Sequence, residues 1–181
     1  MEIWDLYDIN RIKTGDTVQR GDRLPDDRYH IVVHVCIFNS KGEMLIQQRQ
    51  PFKQGWSNMW DVTVGGSATT GDTSQIAAQR ECLEEIGYEI DLTNVRPHFT
   101  INFQHEENNR GGFDDWYIVH ADVDIDSLQL SHEEVKCVKW ATKEEIMEMH
   151  DRGEFVPHYK SMIEMIFDMR GYYGGIPRER L

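Results

Sequence analysis

The sequence predicts an α/β domain in which a mixed sheet is covered by helices, and three observations carry that expectation. Strand-like runs stand before and after a single central helix, two more helical stretches close the chain, and the length suits one hydrophobic core. A body of 181 residues buries roughly two-thirds of its unfolded surface, which argues against a second full domain.

Taken in order, residues 1–28 read as an extension packed on the domain, and the first fifteen of them as a strand lying on a partner or on the chain's own sheet. Ile31 to Phe38 is rich in β-branched and aromatic residues. The turn residues Asn39-Ser40-Lys41-Gly42 and the run Met44 to Arg49 follow it, which is the pattern of a β-hairpin. Further strands are expected at Asp61 to Val64, Phe99 to Gln104, Trp116 to Val123 and Val135 to Trp140, set apart by polar or glycine-containing loops. Helices are expected at Thr73 to Ile86, Lys143 to His150 and His158 to Met169. In the last, Met162, Ile163, Ile166 and Phe167 make one apolar face. Residues 29–170 then form the domain, and 171–181, with its glycines and arginines, a loosely held tail.

Composition narrows the function. At 39% hydrophobic and 28% charged residues, with no apolar run near the roughly 20 residues that span a bilayer, a membrane role is not expected. The opening Met1-Glu2-Ile3-Trp4-Asp5 lacks the basic and apolar segments of a secretory signal, which points to the cytoplasm. Cys36, Cys82 and Cys137 lie far apart without CxxC spacing, the pattern of reduced core residues rather than of disulfides or a zinc site. A net charge of −13 repels nucleic-acid polymers and leaves no basic stripe to bind them. A small phosphate ester remains compatible if divalent cations bridge it to carboxylates. Oligomeric state is not legible in the sequence; a homodimer enters among the partners only as the commonest arrangement of soluble oligomers.

The stretch Gly65 to Tyr88 holds such carboxylates. A glycine-rich loop runs into a helix that Asp72, Thr73 or Ser74 can cap and that Gly87 can end in a left-handed conformation. At 3.6 residues per turn, Glu81, Glu84 and Glu85 share an arc of about 100°, while Ala78, Cys82 and Ile86 line another side. Like charges at these spacings repel by about 0.2–0.5 kcal/mol per pair, a cost that hard divalent cations remove. Arg80 can pair with a carboxylate and fix its orientation. A glutamate-rich helix is ordinarily a solvated face; here the glycine loop, Arg80 and Gly87 frame it.

With Gly66, Arg80, Glu81, Glu84, Glu85 and Gly87 in register, the stretch resembles the Nudix box. Asp72 stands where that family has glutamate, a carboxylate one methylene shorter, and Cys82 and Tyr88 replace aliphatic residues. The likeness extends from about Tyr29 to Glu148, including Trp56-Ser57-Asn58-Met59-Trp60 before the box and the run Ser131 to Trp140 after it. The resemblance implies an α/β/α sandwich with a central mixed sheet and hydrolysis of a diphosphate linkage in a small nucleotide-like substrate. It also implies Mg2+ or Mn2+ held by Glu81, Glu84, Glu85 and the Gly66 carbonyl. The attacking water's proton must pass to a carboxylate, for which Glu84 and Glu85, or Glu133 and Glu134 in a later loop, are the candidates. Asp114 and Asp115 either face the site or begin a strand. Trp56, Trp60, Phe103, Trp116 and Tyr117 include rings able to stack a base, with core positions the commoner fate. His30 and His34, four apart on a strand, share a face.

Two other classes stand beside hydrolysis. Residues 4–20 and 30–49 resemble isopentenyl-diphosphate isomerases, which share the fold, but this chain has Val64 and Gly66 where those enzymes carry a cysteine and a histidine. A silent nucleotide sensor typically loses box carboxylates, and all three persist here.

Overall fold

The computed structural model describes residues 2–105, 110–171 and 176, in two compact units. The first comprises the described parts of Met1–His34, Gly65–Glu81 and Ile90–Tyr117; the second those of Val35–Val64, Cys82–Glu89 and Ile118–Leu181. The expected tail falls, apart from Gly171 and Ile176, outside the described residues.

Among the described residues the strands are β1 (Ile3–Tyr7), β2 (Lys13–Gln19), β3 (His30–Phe38), β4 (Met44–Arg49), β5 (Trp60–Asp61), β6 (Val64–Ser67), β7 (Phe99–His105), β8 (Arg110–His120) and β9 (Val135–Ala141). The helices are α1 (Ser74–Ile86), α2 (Lys143–Asp151) and α3 (Lys160–Met169). A mixed seven-stranded sheet runs in the order β5-β4-β3-β8-β7, with β6 joined to β3 and β9 to β4.

In the first unit the N-terminal segment is a two-stranded sheet, β1 antiparallel to β2. It is tied to its own chain: Tyr7 bridges Tyr29, Thr70 N–H donates to the Ile3 carbonyl at 2.8 Å, and Gly71 N–H donates to Asp5 Oδ2 at 2.7 Å. β7 and β8 pair antiparallel from Phe99 with Trp116 to His105 with Arg110. β8 thus begins before the expected Trp116 and ends at His120. Its opening residues, with two glycines and two aspartates, carry no apolar alternation. They are strand by pairing with β7, and there Asp115, with no exposed surface, is engaged by Arg11, whose Nη1 donates to Oδ1 at 2.9 Å and whose Nη2 engages Oδ2.

In the second unit β3 and β4 close the expected hairpin, Ile37 opposite Leu45 and Phe38 opposite Met44, while β9 takes the other edge of β4. The single strand expected at Asp61 to Val64 is instead two, broken at Val62 and Thr63. The buried Thr63 hydroxyl accepts from Ile37 N–H at 2.9 Å and donates to the Leu45 carbonyl, so a side chain makes bonds that a strand backbone would supply. Helix α2 opens on a full capping box at Thr142 and Glu145. Helix α3 buries Met162, Ile163, Ile166 and Phe167, the face read from the sequence, with Phe167 edge-on to Phe38 at 5.0 Å.

Helix α1 starts where Thr73 Oγ1 accepts from Ile76 N–H at 3.3 Å. It ends where Gly87, at φ +68, and Tyr88 donate their N–H groups to the carbonyls of Leu83 and Cys82 at 3.1 and 3.3 Å. Ala78, Cys82 and Ile86 are fully buried, as its apolar seat requires. A Cβ at Gly87 would lie 3.0 Å from the backbone N of Gln129. Gly87→Ala is therefore expected to cost about 1–3 kcal/mol of stability, from the left-handed backbone and the close approach together, read as a lower urea midpoint at unchanged slope.

Candidate active site on helix α1

In the first unit, Arg80 locks the glycine loop to the helix. Its Nη2 donates to the Ser67 carbonyl at 2.9 Å and to Asp72 Oδ2 at 3.1 Å, and its Nη1 donates to Glu81 Oε1 at 3.0 Å. The shorter carboxylate at position 72 thus still reaches the arginine. Its Oδ2 also accepts from the backbone N–H and the hydroxyl of Thr69 at 3.0 and 2.9 Å. Loop and helix meet most closely at Gly66, where a Cβ would lie 2.1 Å from Cδ and 2.3 Å from Oε1 of Glu81. Only a residue without a side chain leaves room for that carboxylate, and main-chain and carboxylate oxygens together are the donors a hard divalent cation takes.

In the second unit, Glu85 is 4% exposed and Gln47 only 2%, and the Gln47 Nε2 donates to Glu85 Oε2 at 2.8 Å. That amide fills one lone pair of the buried carboxylate. Glu84, one residue earlier, is exposed. All three glutamates lie on helix α1. Among the described residues no group of three or more His, Cys, Asp or Glu side chains is gathered tightly enough to hold a metal ion; Glu81 is turned to Arg80 and Glu85 to Gln47.

Gln47 was not singled out in the sequence. Its signal was there: period-two alternation puts it on the face of Leu45, a buried position, where an amide must have a polar partner. Glu134 is held by Lys53 in a turn anchored to the helix end, Ser131 N–H donating to the Glu85 carbonyl at 2.8 Å.

Other residues take structural places. Asp115 belongs to Arg11 and to Thr100, whose hydroxyl donates to Oδ1 at 2.6 Å. Trp116 and Tyr117 are 2% and 0% exposed, which removes them as base-stacking rings. Phe103 lies edge-on to His30 and Trp60 packs under Lys139, while Trp56 is 53% exposed. His30 stacks on Trp4 at 4.2 Å and His34 on Trp116 at 4.1 Å. All three cysteines are thiols, and burial, with Asp61 adding to it, pushes the Cys36 thiol well above its usual range. No helix is long and apolar enough to cross a membrane among the described residues.

Comparison with known proteins follows the same outline. A family model, the NUDIX domain, matches residues 28–164. An uncharacterized Nudix hydrolase of Listeria monocytogenes is 44% identical over 170 residues, which cover 94% of this chain and 96% of that protein. An isopentenyl-diphosphate Delta-isomerase of Salmonella heidelberg is 32% identical over 113 residues, 62% of this chain and 61% of the isomerase. The crystal structure of a Deinococcus radiodurans protein matches with a TM-score of 0.68 at 23% identity, covering 91% of this chain and 99% of that one.

Proposed function

The chain belongs to the NUDIX family, and on that premise we propose that it is a divalent-metal-dependent hydrolase cleaving a diphosphate linkage in a small nucleotide-like molecule. The observation that carries the reading is the approach of the Gly66 main chain to the Glu81 carboxylate, with Arg80 bridging Glu81 to Asp72. Residues 29–170 form the hydrolase domain, and residues 1–28 extend it.

Glu81, Glu84, Glu85 and the Gly66 carbonyl would hold Mg2+ or Mn2+. When bound, such a cation neutralises phosphate charge and acidifies a water for in-line attack on phosphorus. The chain's own groups do the rest. Arg80 fixes Glu81 by a charge-assisted hydrogen bond, Gln47 orients Glu85, and Lys53 holds Glu134. The water's proton passes to a carboxylate among Glu84, Glu85 and Glu134. Activity resides in the cytoplasm, on a free small molecule rather than a nucleic-acid polymer.

The test is a panel of nucleoside diphosphates, triphosphates and nucleotide sugars, with Mg2+, Mn2+ or EDTA, scored by released phosphate and nucleoside monophosphate. Metal-dependent release from at least one member is expected; absence of release across the panel counts against the reading. Gly66→Ala should lower that release about a hundredfold, because a misplacement of about 1 Å at a reacting centre costs that much. Stability should fall as well, by about 1–3 kcal/mol, since the displaced carboxylate gives up its bond to Arg80; turnover and a thermal melt on one preparation check both.

Isomerisation of isopentenyl diphosphate is the second reading, favoured by the likeness to the Salmonella enzyme. Val64 and Gly66 offer no side chain that transfers a proton, which places it below hydrolysis. Formation of dimethylallyl diphosphate from isopentenyl diphosphate would reverse that order.

A further inference from the structure

A cleft of about 920 Å3 opens in the first unit, and none of Glu81, Glu84 and Glu85 lines it. Three cationic side chains reach it from separate segments: Arg11 from the turn between β1 and β2, Lys13 from the start of β2, and Arg96 from the loop before β7. Among the described residues Asp72 is the one carboxylate on its wall, and its Oδ2 is engaged by Arg80 and Thr69.

Two of the cations are held from behind. Asp115, without exposed surface, grips Arg11, and Asp5, with a side chain 6% exposed, pairs with Lys13 Nζ at 2.6 Å. These carboxylates offset part of the positive charge and also keep the two donors in place, so little side-chain freedom is lost when a ligand arrives. Arg11 has five N–H donors, and Asp115 engages two of its nitrogens. Arg96 adds a third cation from an exposed loop position. With Asp115, Asp5 and Asp72 set against Arg11, Lys13, Arg96 and Arg80, the cleft keeps a small positive excess in a chain of net charge −13, and it falls within the roughly 300–1,000 Å3 of small-molecule sites.

We propose that this cleft binds the phosphate-bearing end of a small molecule, with Arg11, Lys13 and Arg96 as donors and without a divalent cation. The independence from metal separates it from the hydrolytic reading, on which it does not rest. The full chain in EDTA is titrated with inorganic pyrophosphate by calorimetry, together with Arg96→Glu, which changes an exposed loop position, and Glu84→Gln. Saturable binding is expected, weakened at least about tenfold by Arg96→Glu and unaltered by Glu84→Gln. In the unmodified chain, pyrophosphate should also shift the backbone amide resonances of Gly71, Thr73 and Arg96, a readout that needs no variant. The proposal is overturned if pyrophosphate does not bind in EDTA, if Arg96→Glu binds as tightly as the parent, if the shifts lie elsewhere, or if binding needs Mg2+ and disappears with Glu84→Gln.

Discussion

Glu85→Gln is expected to lower divalent-dependent turnover by about 10^2–10^4-fold and to leave the fold intact. The substitution keeps the shape of a side chain that is 4% exposed and removes only its charge. Gln47, which donates to Glu85 Oε2 at 2.8 Å, can reverse its amide and present oxygen to the new NH2, so this hydrogen bond is kept. Taking an ionised carboxylate out of a buried position tends, if anything, to favour folding. Activity and stability therefore separate: kcat with saturating Mg2+ collapses, while the thermal midpoint moves by no more than a few degrees. Full turnover in this variant would move the proton transfer to Glu84 or Glu134 and take Glu85 out of the metal set.

Arg11→Ala should act on stability. Asp115 is fully buried in β8, and Arg11 is the cation that engages both of its oxygens. Burial alone lowers the tendency of Arg11 to stay protonated, and its bonds to Asp115 more than restore it, so that its affinity for the proton is raised. Removing one partner of a buried pair costs about 3–5 kcal/mol, because the other charge is stranded. With 34% of the Arg11 side chain exposed, water can approach the stranded carboxylate, and a loss near 3 kcal/mol is expected. Equilibrium denaturation in urea measures it. Asp115→Asn in the same background should recover part of the loss, since the stranded charge is then gone; no recovery would show that the arginine's role is packing against Phe113.

What the sequence disclosed and what it hid divide along physical lines. Helix α1 was legible to within a residue, its start left among Asp72, Thr73 and Ser74, because its caps and the buried triad Ala78, Cys82 and Ile86 act locally, within a few residues of one another. The β3–β4 hairpin was legible for the same reason. The break at Val62 and Thr63 was not, because Thr63 bonds to Ile37 and Leu45, far away in the chain. The early start of β8 was hidden likewise: an aspartate becomes a core residue only when an arginine more than a hundred positions earlier reaches it. In the candidate site, Glu81 and Arg80 announced themselves through spacing, and Asp72 through the resemblance to the Nudix box. Gln47 and Lys53 did not, since what assigns each a place is a partner brought near by the fold.

The central claim, hydrolysis dependent on the α1 carboxylates, is tested most directly by running the reaction on the best substrate of the panel in 18O-labelled water and weighing the products. With Mg2+ present, each turnover should place one 18O in a phosphate-bearing product, and EDTA or Glu85→Gln should abolish both turnover and label. Turnover without incorporation, or incorporation indifferent to EDTA and to Glu85→Gln, would contradict the account.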